Sequence, residues 1–157
     1  MPMSKSARYA SVGREIAAVL EGEPNLIARM ATVVSMLSEA FDTFYWTGFY
    51  LADPAKPREL VVGPYRGTLG CLRIPFGKGV CGAAAATRQT QIVRDVHEFP
   101  GHIACDSRSQ SEIVVPVVDA KGALIAVFDV DSIDLASFDE EDAAGLERIL
   151  RETFAAP

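Results

Sequence analysis

The sequence has 157 residues, the size of one ordinary domain, and we expect residues 1–157 to form a single domain. Its 49% hydrophobic and 23% charged residues match the composition of a folded chain and exclude wholesale disorder. The formal net charge is −6, and no segment is rich in Lys or Arg. Because this negative charge repels phosphate groups, it disfavours binding to nucleic acids and anionic membranes.

The N-terminal segment lacks the core of a signal peptide, because its apolar run is short and is followed by Glu21. No stretch approaches the roughly 18 apolar residues that span a membrane. Three cysteines without a CxxC pair are untypical of a secreted disulfide framework. We therefore expect a cytoplasmic protein with reactive or buried thiols.

The first half of the chain predicts two helices and then strands. Residues 4–21 have helical spacing, with Ser4 or Ser6 as the cap. A second helix is predicted over 24–41, with Pro24 in its first turn, where a missing N–H donor costs nothing. Three β-prone segments follow, at 44–51, 59–63 and 70–75.

The second half begins with glycines and ends with a helix. Its predicted elements are an alanine-rich helix after Gly77, strands at 91–96, 111–119 and 123–132, and a closing helix at 137–154. Ser137 and Glu140 predict a capping box for the closing helix. Residues 97–111 show neither the periodicity of a helix nor that of a strand and predict a long loop, which in a small domain is usually functional or disordered. The order of elements predicts an α+β fold with a mostly antiparallel sheet of about six strands and helices on both faces.

The cysteines Cys71, Cys81 and Cys105 are the first candidates for chemistry. Each fits a small buried hydrophobe, because free cysteine is among the most buried residue types. Cys105, however, lies in the irregular loop among polar residues, where a reactive thiolate is expected. Cys81 falls where the alanine-rich helix should begin, and free N–H groups there stabilise a thiolate. These residues alone leave Cys105 and Cys81 open as the nucleophile.

Several other sites are disfavoured by spacing. A structural zinc site would use close ligand pairs, and the cysteines are widely separated. A Cys–His hydrolase would pair Cys105 with His97 or His102, but loop histidines are more often solvated or capping residues. Residues 129–140 resemble a calcium loop only superficially, because Ile133 occupies a position that needs an oxygen ligand. We predict no metal site.

Two further groups share a predicted strand face. Asp129 and Asp131 are two residues apart in one strand, and the turn at 119–122 brings Glu112 beside them from the next strand. Clustered carboxylates repel one another unless a cation lies between them, so these three residues could bind a cation. Alternatively, they form a solvated strand end. Trp46 and Tyr50 also share a face, as core packing or as the aromatic wall of a small-ligand pocket.

Four segments carry a resemblance to a known family. They are WTGFYL at 46–51, GPYRGTLGCLRIPFGKGVCG at 63–82, RDVHEFPGHIACDSRSQSEIVVPV at 94–117 and FDVDS at 128–132. From Ser11 onward the chain resembles the free methionine-(R)-sulfoxide reductases, which are single-domain enzymes with a GAF fold. The cysteine spacing together with GHIACD and SEIVVP distinguishes this family from GAF domains at large.

The resemblance implies an enzyme that reduces free methionine-(R)-sulfoxide to methionine with thioredoxin as reductant and with no metal or organic cofactor. It also implies a homodimer. Cys105 matches the attacking cysteine, Cys71 matches the usual resolving cysteine, and Cys81 is also implicated.

The resemblance further implies a substrate site. Trp46 and Tyr50 match the wall around the substrate methyl group. Glu112, Asp129 and Asp131 match the carboxylates at the polar end of the substrate. The competing interpretation is a non-catalytic GAF module that senses a small molecule, and the position of Cys105 in the loop favours the enzyme.

Overall fold

The computed structural model describes residues 2–102 and 105–156, so Ile103 and Ala104 of the GHIACD motif lie outside the described residues. The helices are α1 (Lys5–Leu20), α2 (Leu26–Ala40), α3 (Gly79–Thr87) and α4 (Glu140–Leu150). The strands are β1 (Trp46–Ala52), β2 (Glu59–Arg66), β3 (Arg73–Pro75), β4 (Gln91–Val93), β5 (Ser111–Val118) and β6 (Leu124–Ser132). A 3₁₀ turn at Val96–Glu98 follows β4, and a π-helical turn at Arg151–Ala155 follows α4. No helix in the described part of the chain is long and apolar enough to cross a membrane.

The described strands form one sheet in the order β3-β2-β1-β6-β5-β4, and every neighbouring pair is antiparallel. Strands β5 and β6 pair along their whole length through a turn closed by Asp119, whose side chain accepts from the N–H groups of Lys121 and Ala123. The predicted α+β fold with a six-stranded antiparallel sheet is confirmed.

Helices cover both faces of the sheet, as predicted, and each face has its own apolar layer. Helices α1, α2 and α4 pack on one face around fully buried side chains such as Met30, Phe49 and Phe128. Helix α3 packs on the other face, where small Ala84 lets its backbone approach Val114 and Val127. Because side chains alternate along a strand, β1 gives Phe49 to the first layer and Trp46 and Tyr50 to the second.

The structure corrects two predicted helix starts. Pro24 precedes α2 rather than opening it, because the Asn25 side chain caps the helix by accepting from the N–H of Ala28 at 2.9 Å. The capping box of α4 consists of Asp139 and Asp142 and not of Ser137 and Glu140. Ser137 is not the cap because α4 begins only at Glu140, directly after Asp139, and the Ser137 hydroxyl instead donates to Ser132 Oγ at 2.7 Å.

Two predicted strands are shorter than expected. The segment at 70–75 pairs only over Arg73–Pro75, because Gly70 and Cys71 belong to a loop that covers β1. The segment at 91–96 pairs only over Gln91–Val93, because the chain then turns at Asp95, whose side chain accepts from the N–H of His97. Both shortened strands lie at the edges of the sheet and next to the pocket described below.

Candidate active site

A pocket lies on the α3 face of the sheet, between the strands, α3 and two covering loops. The first loop, residues 67–72, follows β2, and the described parts of the second, residues 99–102 and 105–110, follow the 3₁₀ turn. The pocket encloses a cavity of about 40 Å³, which has room for about three water molecules. All eight residues that the sequence analysis named for the substrate and for the chemistry contribute to it or border it: Trp46, Tyr50, Cys71, Cys81, Cys105, Glu112, Asp129 and Asp131.

The aromatic wall of the pocket comes from β1. The rings of Trp46 and Tyr50 stack with their centroids 5.6 Å apart, and Tyr65 stacks on the other side of Trp46 at 5.1 Å. The indole N–H of Trp46 donates to the carbonyl of Thr68 at 2.9 Å, which holds the first loop over the ring. A Cβ on Gly70 would lie 2.8 Å from the indole, so this close approach requires glycine. Trp46 and Tyr50 therefore line the pocket, and their role as the wall around a bound ligand stays a prediction.

The three carboxylates meet at one end of the pocket through strand register. Glu112 on β5 lies directly opposite Asp131 on β6. Asp129 lies two residues before Asp131 and on the same face of the sheet. Glu112 and Asp129 are 5% and 4% exposed, and Asp131 is partly exposed. The predicted convergence of the two strands is confirmed, and a solvated strand end is excluded by this burial.

Burial and mutual repulsion change the titration of these groups. Burial raises the pKa of Glu112 well above its usual range, and the charges of Asp129 and Asp131 raise it further. Burial and the charge of Asp129 do the same to the pKa of Asp131. Burial raises the pKa of Asp129 as well, so all three groups hold a proton more readily than an ordinary carboxyl group.

The cysteines separate into a pair and a single thiol. Cys71 in the first loop and Cys105 in the second form a disulfide, with their Cα atoms 5.8 Å apart. Cys105 is exposed and Cys71 is half-buried, so the disulfide is open to an external thiol. The disulfide joins the two loops across the mouth of the pocket.

Cys81 is the free thiol and is buried in the third position of α3. The sequence analysis expected the helix N-terminus to stabilise a thiolate there, and the structure contradicts this. Burial raises the pKa of Cys81 well above its usual range, and the charges of Asp129, Glu112 and Asp131 raise it further. This environment disfavours Cys81 as the nucleophile. Of the two cysteines that the sequence leaves as candidates, Cys105 is therefore favoured.

Asp106 is a site residue that the sequence analysis did not name. Its carboxylate accepts from the hydroxyls of Tyr45 and Thr68, both at 2.7 Å, and from the N–H of Arg108 at 2.9 Å. These donors, above all the Arg108 N–H, hold the pKa of Asp106 well below its usual range. Asp106, which directly follows Cys105, is thus tied to the start of β1 and to the first loop. The Asp-x-Arg turn pattern at 106–108 was a usable signal, because Asp side chains commonly accept from the N–H two residues on.

The two histidines differ in their surroundings. His97 is exposed and lies 2.9 Å from Asp95, in agreement with the expected solvated role. His102 lines the pocket, with Nε2 3.8 Å from Glu112 Oε1, so the same expectation was wrong for it. Burial, followed by the charge of His97, lowers the pKa of His102 below its usual value.

One group of side chains offers donors for a metal ion. The sulfur of Cys81 and carboxylate oxygens of Glu112 and Asp129 lie within 4.8 Å of one another, and all three residues are buried. The sequence analysis excluded metal sites from the spacing of the cysteines, and this group instead draws its donors from α3, β5 and β6.

Comparisons with known proteins agree with this architecture. A GAF domain family model matches residues 25–153. The free methionine-R-sulfoxide reductase of Escherichia coli is 42% identical, and the match covers 96% of this chain and 88% of that protein. The X-ray structure of free methionine-R-sulfoxide reductase from Neisseria meningitidis in complex with its substrate is 45% identical, with a TM-score of 0.90 over 96% of this chain and 89% of that chain. The structure of fRMsr of Staphylococcus aureus in its reduced form is 40% identical, with a TM-score of 0.88 over 94% of this chain and 95% of that chain. The chain belongs to the free methionine-(R)-sulfoxide reductase family, whose members are GAF domain proteins.

Proposed function

We propose that this chain reduces free methionine-(R)-sulfoxide to methionine through a thiol cycle. The observation that supports this most strongly is the Cys71–Cys105 disulfide, which spans the mouth of a pocket with an aromatic wall and a carboxylate end. This disulfide is the product that such a cycle leaves when no reductant is present.

The first step is attack by Cys105 on the substrate. The Cys105 thiolate forms a bond to the electrophilic sulfur of the sulfoxide, while a neutral carboxyl group, from Glu112 or Asp131, protonates the sulfoxide oxygen. The oxygen is transferred to Cys105 as a sulfenic acid, and methionine leaves. The raised pKa values of Glu112 and Asp131 support this role, because an ionised carboxylate has no proton to give.

The second step regenerates the enzyme. The Cys71 thiol attacks the sulfenic acid, water leaves, and the Cys71–Cys105 disulfide forms. Thioredoxin, the reductant we propose, then reduces this disulfide by thiol–disulfide exchange. The exposure of Cys105 supports access by such a partner. The cycle does not require Cys81.

Substrate selection depends on the two ends of the pocket. We assign Trp46 and Tyr50 to contact the methyl group at the substrate sulfur. Glu112, Asp129 and Asp131 receive the α-ammonium group, whose positive charge offsets the repulsion of the ionised members of the cluster while one carboxyl group keeps its proton for the sulfoxide oxygen. A methionine within a peptide has no such ammonium group. Leaving buried carboxylates unpaired costs roughly 3–5 kcal/mol, which is a discrimination of about two to four orders of magnitude.

The setting of the enzyme is part of the proposal. A cycle that depends on reduced thiols requires a reducing compartment, for which the cytoplasm is the natural candidate. We also propose that the protein is a homodimer and that residues 1–157 fold as one domain. Sedimentation equilibrium checks the dimer, and a single cooperative unfolding transition checks the domain.

The proposed function is tested by a coupled assay with thioredoxin, thioredoxin reductase and NADPH. Free methionine-(R)-sulfoxide should support NADPH oxidation, and the S epimer should be a poor substrate because the pocket presents one sulfur face to Cys105. N-acetyl-methionine-(R)-sulfoxide should have a kcat/KM at least about a hundredfold lower. Equal rates on the two epimers would refute the stereochemical assignment, and equal rates on the free and acetylated compounds would refute the role of the carboxylates.

A further inference from the structure

Cys81 is a buried sulfur that the proposed cycle leaves without a task. It lies on α3 at 5% exposure and faces the two strands that carry the carboxylates. Its sulfur and one oxygen each from Glu112 and Asp129 lie within 4.8 Å of one another. Three buried acidic groups therefore converge on one point from three separate elements.

Asp129 supplies an independent sign that a cation belongs there. Its Oδ1 atom is buried and has no hydrogen-bond partner, although buried carboxylate oxygens are normally paired. Within residues 2–102 and 105–156, no Lys or Arg forms an ion pair with Glu112, Asp129 or Asp131. An unpaired, desolvated carboxylate is costly, and a metal ion is a ligand that removes this cost.

The donor types select among metal ions. Mg²⁺ and Ca²⁺ prefer sites made only of oxygen atoms, whereas a thiolate favours Zn²⁺. Zinc takes four ligands in a tetrahedron, with neighbouring donors about 3.5 Å apart at ordinary bond lengths. The three donors are already within 4.8 Å, so a small side-chain movement brings them to that spacing. His102 lies nearby, with Nε2 3.8 Å from Glu112 Oε1, but it is outside this group of three donors, so a water molecule takes the fourth position.

We propose that Cys81, Glu112 and Asp129 bind one Zn²⁺ ion per chain, with a water molecule as the fourth ligand. The ion occupies the end of the pocket that we assign to the substrate ammonium group. Zinc and substrate are therefore mutually exclusive, and zinc is an inhibitor that competes with substrate. Only this competition rests on the proposed function; the binding of zinc stands without it.

The experiment uses the intact, oxidised protein, because the Cys71–Cys105 disulfide leaves Cys81 as its free thiol. Isothermal titration with ZnCl₂ should give one site per chain, and MgCl₂ and CaCl₂ should give no comparable heat. Co²⁺ added in place of Zn²⁺ should produce a thiolate-to-metal charge-transfer band. Cys81→Ser should abolish this band and weaken Zn²⁺ binding by about tenfold or more, and Asp129→Asn should weaken binding similarly.

Asp42→Asn is the matched control, since it removes an exposed carboxylate and should leave Zn²⁺ affinity unchanged. Circular dichroism and thermal unfolding check that each variant is folded. If Cys81→Ser is not folded, the Co²⁺ affinity of Asp129→Asn, read from the intensity of the charge-transfer band, decides whether the proposal holds. Absence of one-site Zn²⁺ binding to the oxidised protein, or binding that Cys81→Ser and Asp129→Asn leave unchanged, would overturn the proposal. Because binding is measured without turnover, an inactive protein that binds zinc would contradict the proposed function and leave the zinc site intact.

Discussion

Cys105 and Asp106 are adjacent residues with separate tasks. Cys105 is exposed and forms the disulfide with Cys71, whereas Asp106 is held by three short hydrogen bonds from Tyr45, Thr68 and Arg108. Because these bonds fix Asp106, which directly follows Cys105, the loop carries the proposed nucleophile on an anchored backbone. The resemblance predicts Cys105 as the nucleophile, whereas Thr68 and Tyr45, the partners of Asp106, are 38 and 61 residues away along the chain and could be found only from the fold.

The roles of the two paired cysteines can be separated by single substitutions. Cys105→Ser should abolish even one turnover, because the thiolate that attacks the sulfoxide is gone. Cys71→Ser should release about one methionine per chain and then stop with a sulfenic acid on Cys105, which dimedone traps. Mass spectrometry of the trapped protein makes the measurement. Release of methionine by Cys105→Ser would refute the assignment of the nucleophile.

Asp106→Asn tests the anchor, with Asp42→Asn as the control for charge. We expect kcat to fall about 10- to 100-fold, because a displaced nucleophile attacks poorly, while KM changes little since Asp106 does not bind the substrate ammonium group. Unchanged kcat would contradict the positioning role.

The same variant has a defined effect on the pH dependence of stability. The pKa of Asp106 is lower in the folded chain than its unfolded value of about 3.9, so its contribution to the free energy of unfolding is present above that pH and is lost as the pH falls through the folded pKa. Asp106→Asn should therefore be less stable than the parent at neutral pH, with the difference shrinking in acid. Urea unfolding measured from neutral to acidic pH checks this, and a difference that grows in acid would refute it.

At the scale of elements, strands β5 and β6 do most to build the site. Their register places Glu112 opposite Asp131, and the tight turn at Asp119 makes that register predictable from the sequence, since a hairpin fixes which residues face each other. Helix α3 was predicted too, but the depth of Cys81 was not, because burial depends on how closely the alanine-rich helix packs on β5 and β6. The zinc donors were missed for the same reason, since spacing along the chain cannot reveal ligands that three elements contribute.

The carboxylate cluster should reduce stability in exchange for binding. Glu112→Gln removes a buried acidic group and adds N–H donors toward Asp129 and Asp131. We expect the free energy of unfolding to rise by about 1–2 kcal/mol while activity on free methionine-(R)-sulfoxide falls. Thermal and urea unfolding provide the measurement, and Glu15→Gln on the exposed face of α1 is the control. A less stable Glu112→Gln variant would contradict the view that these groups repel one another.

The whole molecule divides its tasks between the two faces of its sheet. The face under α1, α2 and α4 is a continuous apolar layer, and the face under α3 carries the pocket. The sequence predicted this α+β architecture because helical and strand periodicities are local. It did not predict the ends of β3 and β4, where loops leave the sheet to cover the pocket, since those ends depend on tertiary contacts of Gly70 and Val96.

The most direct test of the account counts thiols in a single turnover. Fully reduced protein has three thiols, and free methionine-(R)-sulfoxide is added without any reductant. We predict that each chain loses two thiols, releases about one methionine, and contains the Cys71–Cys105 disulfide with Cys81 still free. A chain that binds the compound but keeps all three thiols and releases no methionine would be a sensor, and that result would contradict the account.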